Sequence, residues 1–573
     1  TEIRIVNQAI IIIMYIVQKS LTAIIISLFC VFSASAQQKN FDIVIYGGTS
    51  AGVSAAIQSS RLGKSVVLIE PTKRIGGLTT GGLGQTDIGN KQAIGGISRE
   101  FYQNIKKYYD NPANWKWQQK QDYQDDGQTR TEKGEATMWT FEPSAALKVL
   151  QEMLSVEKNI TLVYEQRLNR TLKGIRKKSG VISAIQMENG QWYGGKMFID
   201  ATYEGDLLAL AGISYTVGRE SNEEFGESLN GVQANITSSS LTGVVSKNGF
   251  NHNFVDGVDP YIEKGNPKSG LLPFIEKEHP PKDGTGDKRI QAYCYRMCLT
   301  NYPENKIPFE KPNNYNELAY ELLIRNFEAG EKVNDFPWIN SSMPNRKTDT
   351  NNGRGFSTDF IGQNYTYPEA SYKEREVIAE RHLNYQKGLM WTLAYHPRIP
   401  EAMRNEISKW GMCKDEFIEG QGWQQQLYIR EARRMRSDLV MTQKQCEALI
   451  VAPNSVGMAA YGMDSHNVQR YVTKDGFVKN EGNVESKVAG PFSIGYEAIV
   501  PKETECKNLV VPVCLSATHI AFGSIRMEPV FMVLGQSAAT AAVLAIENKV
   551  SLQKLPYEKL REVLLKNKQV LEN

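Results

Sequence analysis

Two histidines and one arginine are the residues best suited to move a proton beside a developing charge. His519 opens the run HIAFGSIRMEP, which brings Arg526 seven positions later. A histidine able to accept a substrate proton, with a fixed cation to hold the negative charge that results, is a working acid/base pair. His466, in Asp464-Ser465-His466-Asn467, is the second candidate base, on a run expected to be an exposed loop with no packing purpose. Neighbouring side chains rarely converge, so Asp464, Ser465 and His466 predict no triad. A lone histidine is more often structural, and that reading stands beside the functional one for both. REARRMR, Arg430 to Arg436, reads either as a basic helix face for an acidic substrate or, in preference, as a solvated helix salt-bridged through Glu431 and Asp438. Trp338, Trp391, Trp410 and Trp423 could stack on sugar rings, with core packing as the default.

These side chains need a scaffold, and FDIVIYGGTSAGVSAAIQSSRLGKSVVLIE, Phe41 to Glu70, supplies its first part. A buried strand, a Gly-rich turn, a helix of small apolar residues and a second strand ending in an acid form the β-α-β order that brings a pyrophosphate to a helix N-terminus. Gly47 permits the tight turn and Gly52 close helix packing, while Gly48, Ser50 and Ala51 complete the phosphate-facing loop. Glu70, 23 residues after Gly47, is placed to bind ribose hydroxyls. Thr49 replaces the usual third glycine, and its hydroxyl is expected to donate to a phosphate oxygen instead.

Three further segments favour FAD over NAD. PTKRIGGLTTGGLGQTD, Pro71 to Asp87, is a second Gly-Gly cluster that suits a loop approaching both pyrophosphate and flavin. KMFIDATYEGDLLALAGI, Lys196 to Ile213, is a strand ending in Asp200-Ala201-Thr202, with Tyr203 where such strand ends usually have glycine. The segments between predict a third strand and an antiparallel meander. A last strand and a long helix starting near Pro529 would aim a positive helix end at the site.

Together these segments resemble the bacterial secreted FAD-dependent oxidoreductases, the heterodisulfide-reductase-like flavoproteins among which some relatives carry the label xanthan lyase. The likeness extends over nearly the whole mature chain, through blocks such as WTFEPSAALKVLQEML at Trp139, NNGRGFSTDFIGQNYTYPEA at Asn351 and YGMDSHNVQRYV at Tyr461. It implies an α/β fold with a two-dinucleotide-fold, glutathione-reductase-like FAD domain over residues 40–215 and 490–573. An α+β substrate or cap domain over 216–489 would leave the active site in the cleft between them. It further implies that Gly47 to Gly52 hold the pyrophosphate, Glu70 the adenosine ribose, and Arg74, Gly76, Gly77 and Leu78, after Pro71, the flavin-side loop. Leu168, Ala201 and Thr202 would approach the adenine end, and Arg526, Met527 and Glu528 the isoalloxazine. Ser516 stands where an acidic residue usually binds ribitol. No second Gly-rich turn is visible, so reduction by a built-in NAD(P)H domain is not expected.

Composition sets the remaining bounds. A net charge of +3 over 573 residues, with no basic stripe, predicts no nucleic-acid partner. Met14 to Ala36 reads as a secretory signal, with Lys19, an apolar run from Leu21 to Phe32 and a small-residue end at Ala34-Ser35-Ala36, making Gln37 the expected mature start. A periplasmic or secreted protein without stable membrane insertion is expected, with a single N-terminal membrane anchor as the alternative, and Thr1 to Ile13 reads as translated upstream sequence. Cys294, Cys298, Cys413, Cys446, Cys506 and Cys514 form no C-x-x-C, so no zinc or dithiol motif is suggested, and most are expected as buried free thiols. The leading function is oxidation of an alcohol or amine carbon in a small polar molecule, a carbohydrate among the candidates, by hydride transfer to flavin N5 with an unknown electron acceptor. The alternatives are a polysaccharide lyase without a redox step and a non-enzymatic flavin- or glycan-binding protein.

Overall fold

The computed structural model describes residues 13–19, 38–125, 127–234, 252–331 and 336–573, so the expected leader lies largely outside the described residues. Strand β1 (Lys39–Tyr46) is exposed where it enters and fully buried from Ile43 onward. Helix α1 (Ser50–Arg61) follows, and every residue from Ser50 to Ser60 is buried because small side chains let it lie close on its neighbours. Strand β2 (Val66–Ile69) is buried along its whole length, as a parallel strand covered on both faces must be. Helix α2 (Pro143–Ser155) and strand β3 (Ile160–Val163) extend the unit. The expected meander is present as β4 (Ile175–Lys178), β5 (Val181–Gln186) and β6 (Trp192–Asp200).

These strands form one sheet in the order β3-β2-β1-β6-β5-β4, and the strand Leu509–Val510 joins β6 in parallel beyond the reach of β5. The four strands β3, β2, β1 and β6 are parallel, with Tyr46 level with both Ile69 and Asp200. Gly47, Glu70 and Ala201 therefore leave the sheet side by side, at the carboxyl ends where ligands of open α/β sheets bind.

A second sheet is antiparallel and built from β7 (Met297–Thr300), β8 (Lys306–Ile307), β9 (Asn340–Met343), β10 (Lys347–Thr350) and β11 (Gly411–Cys413), in the order β9-β10-β7-β11-β8. It has its own apolar core with helix α3 (Tyr372–Tyr395), whose start is fixed by a Ser371/Glu374 capping box. Trp338 and Trp423 are buried in that core. Most buried apolar residues between 427 and 500 return to the main core, while Val478 packs in the second.

The chain closes with the short helix α4 (His519–Ile525) and the long helix α5 (Glu528–Asn548). Helix α5 is long and apolar enough to cross a membrane, yet 89% of its most apolar window is buried inside this fold. It lies against α1 so closely that a Cβ at Gly535 would sit 2.1 Å from the Ala51 carbonyl oxygen. That contact carries the start of α5 to the Gly-rich turn. The six cysteines described are free and buried, as expected.

Candidate active site

The turn after β1 is set by close approaches that only hydrogen at Cα allows. Gly47 has φ +101°, and a Cβ there would meet the Ala201 carbonyl carbon and the Thr202 nitrogen at 2.8 Å. A Cβ at Gly52 would lie 1.9 Å from the Gly47 oxygen. Thr49 is the N-cap of α1, and its hydroxyl donates to the Ala201 carbonyl at 2.7 Å. The expectation that this hydroxyl is free for phosphate is therefore corrected. It closes the helix start and ties β1 to β6 instead.

The Glu70 carboxylate accepts the Gly48 N–H at 2.8 Å and the Thr72 N–H at 2.7 Å. Burial pushes its carboxyl up to about 7 despite those donors. Pro71 and Thr72 line a cavity of about 550 Å³ with Gln166 and Arg167, and the buried Gln166 Oε1 has no partner. Leu168 N–H is bound by the Tyr46 hydroxyl at 3.0 Å, and Thr202 turns its hydroxyl back to Asp200 at 2.6 Å.

The loop from Pro71 folds over the turn through Gly76 N–H to the Gly48 carbonyl at 2.7 Å. Arg74 shapes this loop, donating to the carbonyls of Thr80 and Pro143 at 3.0 and 3.2 Å and lying over the Phe417 ring. Leu78 N–H reaches the Tyr203 hydroxyl at 2.9 Å, which donates in turn to Glu528 at 2.7 Å. Thr79 donates to the other Glu528 oxygen at 2.7 Å. Tyr203 thus has the task of joining the Gly-rich loop to the first turn of α5. Met527 is the buried N-cap of that helix, so its positive end meets the chain's own Glu528, whose carboxyl is raised by burial. Ser50 stands beside Glu528, and its buried hydroxyl makes no geometrically complete hydrogen bond. Ser516 is fully buried, and its hydroxyl accepts the Ser437 N–H at 3.2 Å.

A second set of charges surrounds the strand Met463–Ser465. This corrects the expectation of an exposed loop, since Ser465 is 0% and His466 7% exposed. Alternation along the strand directs Asp464 and His466 away from Ser465. His466 Nδ1 is 2.8 Å from Asp359, and its Nε2 is 3.5 Å from Asp464. Arg526 lies 3.1 Å from Asp464 and donates to the Tyr428 hydroxyl at 3.0 Å. Burial would raise Asp464, but His466 and then Arg526 hold it well below the usual carboxylate range. Asp87, at the end of the Gly-rich loop, is raised by burial despite Arg296 and Arg526, and its charge lifts the Tyr461 phenol.

On the other side, Ser465 Oγ is 2.9 Å from His519 Nε2, and His519 Nδ1 is 2.9 Å from Glu431. Three residues far apart in sequence thus make the triad that adjacent ones could not. A nucleophile must reach its substrate, and Ser465 is sealed, with a further bond to the Gly482 carbonyl at 3.0 Å. Both His519 nitrogens are engaged and the ring is 2% exposed, so the first candidate base has no face open to substrate.

REARRMR is also corrected: it is extended, not a helix, and buried from Arg430 to Met435. Arg430 pairs with Asp359 at 2.9 Å, Arg433 with Asp206 at 2.9 Å and Arg434 with Glu220 at 2.9 Å. The Arg430 pair fixes Asp359 and through it His466, and Arg434 also stands 3.8 Å from Glu431, the partner of His519. Asp359, Arg430 and Glu431 were not found as site residues from sequence, because no spacing links 359, 430 and 466.

The family model described as FAD dependent oxidoreductase matches residues 42–564, and the chain belongs to that family. FAD is accordingly its cofactor. The glycine cradle, Glu70 at the strand end, the unpartnered Gln166 Oε1 and the buried Ser50 fit an FAD bound along the carboxyl edge of the sheet. No curated protein matches. Among solved structures, T. acidophilum thioredoxin reductase is 16% identical at a TM-score of 0.17, covering 28% of this chain and 35% of that one. L-proline dehydrogenase from P. horikoshii is 14% identical at 0.17, covering 33% and 25%. The 3-ketosteroid-delta4-(5alpha)-dehydrogenase from Rhodococcus jostii RHA1 is 16% identical at 0.19, covering 30% and 47%. The chain thus spans less than half the length of each of these three.

Proposed function

We propose that this chain is an exported FAD-dependent oxidoreductase acting on an alcohol or amine carbon of a small polar molecule, a carbohydrate among the candidates. When bound, FAD supplies the two-electron acceptor at the carboxyl edge of the sheet. The backbone N–H groups of Thr49, Ser50 and Ala51 and the α1 dipole would bind its pyrophosphate, and Glu70 would bind its ribose. His466 accepts the substrate proton at Nε2, while Asp359 holds Nδ1 and so fixes the ring and its tautomer. Arg526, steered by Asp464 and Tyr428, offers a fixed cation to the charge that develops. An external electron acceptor completes turnover.

The observation that carries this reading is the clamped His466: one nitrogen is 2.8 Å from a buried carboxylate and the other faces the Asp464–Arg526 pair. Anaerobic bleaching of the flavin absorbance by a panel of sugars, alcohols and amines tests it. His466→Gln should keep its flavin and slow bleaching by roughly 10²–10⁴-fold. Bleaching at the wild-type rate removes His466 from the mechanism. Glycan cleavage by FAD-free protein would replace the redox reading with a lyase.

A further inference from the structure

Strands β7 and β11 pair antiparallel with Thr300 opposite Gly411 and Leu299 opposite Met412. Continued by one step, that register sets Cys298 opposite Cys413, and their sulfurs lie 3.7 Å apart. Both side chains are fully buried, with Met343 and Phe417 as apolar neighbours. Directly opposed antiparallel residues have Cα atoms about 4.5–5.5 Å apart, within the roughly 4.4–6.8 Å that a disulfide bridges. Side-chain rotation, without a backbone shift, can close sulfurs at contact distance to a bond of about 2.05 Å. The other cysteines sit in different surroundings: Cys294 accepts from Arg430 at 3.4 Å, and Cys514 faces the Thr202 carbonyl at 3.4 Å.

We propose that Cys298 and Cys413 form a structural disulfide, made as the second sheet assembles by exchange with a small-molecule or protein disulfide. One cysteine thiolate attacks the S–S bond of the oxidant, forming a mixed disulfide and releasing one thiol. The second cysteine thiolate then attacks the protein sulfur of that mixed disulfide and expels the other half of the oxidant. Two electrons pass to the oxidant, the two cysteine S–H protons pass to its two departing sulfurs, and it leaves as two thiols. Exchange precedes final packing, because burial raises the Cys298 thiol well above its ordinary value in the closed sheet.

The bond would fasten a strand that matters to the site. β11 runs directly into Asp415, Glu416 and Phe417. Glu416 accepts the Ser144 N–H and hydroxyl at 2.9 and 2.7 Å, and Phe417 lies under Arg74 of the Gly-rich loop. The cross-link thereby anchors the contact between the second sheet and the Gly-rich loop. It also closes the loop from 298 to 413, which restricts the unfolded chain.

The test uses the full chain, loaded with FAD and refolded with oxidised and reduced glutathione, then alkylated in denaturant and digested without reductant. A linked peptide containing Cys298 and Cys413 is expected, and it should persist in Cys446→Ser. Recovery of both cysteines singly alkylated overturns the proposal, as does a link from either one to a different cysteine. In a second measurement, dithiothreitol should lower the urea midpoint of the wild type and leave a folded Cys298→Ala/Cys413→Ala variant unchanged. An equal shift in the two proteins overturns the stabilising role.

Discussion

Replacing Asp359 with asparagine removes one negative charge from a position where Arg430 lies 2.9 Å from one oxygen and His466 Nδ1 2.8 Å from the other. Burial by itself would raise this carboxyl, but Arg430 and then His466 outweigh it and bring the group from 3.8 to about 2. A depression of nearly two pH units corresponds to roughly 2–3 kcal/mol in favour of the ionised folded form. The variant also strands Arg430, which is fully buried, and breaking a buried pair costs about 3–5 kcal/mol. We therefore expect Asp359→Asn to be less stable than wild type by about 3–5 kcal/mol at pH 7 in urea unfolding. The sign with pH follows from the lowered group. The wild-type advantage is full above about pH 4 and is lost as pH falls towards about 2, because protonation then removes the same charge. Unfolding curves at a series of pH values from 7 down to 3 read both quantities. A difference below about 1 kcal/mol at pH 7, or one that widens below pH 4, would refute an ionised Asp359 held by Arg430 and His466.

Three further changes probe the cofactor cradle. Thr49→Ala removes a helix cap and the 2.7 Å bond to Ala201, and should cost about 1–2 kcal/mol of stability in the FAD-free protein. Weaker FAD binding with unchanged stability would instead restore the direct phosphate contact expected from sequence. Gly535→Ala places a methyl group 2.1 Å from the Ala51 oxygen, so α1 and α5 must separate, at about 1–3 kcal/mol. Its urea midpoint and FAD dissociation constant should both worsen, and an unperturbed midpoint would contradict the close approach. In FAD-free protein the raised Glu70 makes wild type lose about 3 kcal/mol relative to Glu70→Gln as pH rises from 4.5 to about 7. A stability difference that does not change over that interval would show that Glu70 is not held protonated by the fold.

Much of the cradle was legible from local pattern. The turn glycines, the acid 23 residues on and the strand end at Asp200 are all set by short-range sterics and by alternation of apolar residues. The meander and the helix from Glu528 followed from the same signals. The charged segments were misread for one physical reason: in REARRMR and DSHN, charge was taken as a sign of exposure. Buried charge is tolerated when paired, and the partners of Arg430, Arg433 and Arg434 are at 359, 206 and 220. No window along the chain contains them.

The sequence by itself determined the nucleotide-binding β-α-β unit, its glycines and the family to which the chain belongs, because those depend on residues within a turn or two of one another. Tertiary structure decided what each histidine touches. It sealed His519 between Glu431 and Ser465, and aimed His466 at Asp464 by clamping it to Asp359. It also turned the Thr49 hydroxyl from phosphate to helix cap, and set Tyr203 and Glu528 as the link between loop and last helix. Each of these outcomes depends on a partner more than fifty residues away, and short-range pattern carries no information about such partners.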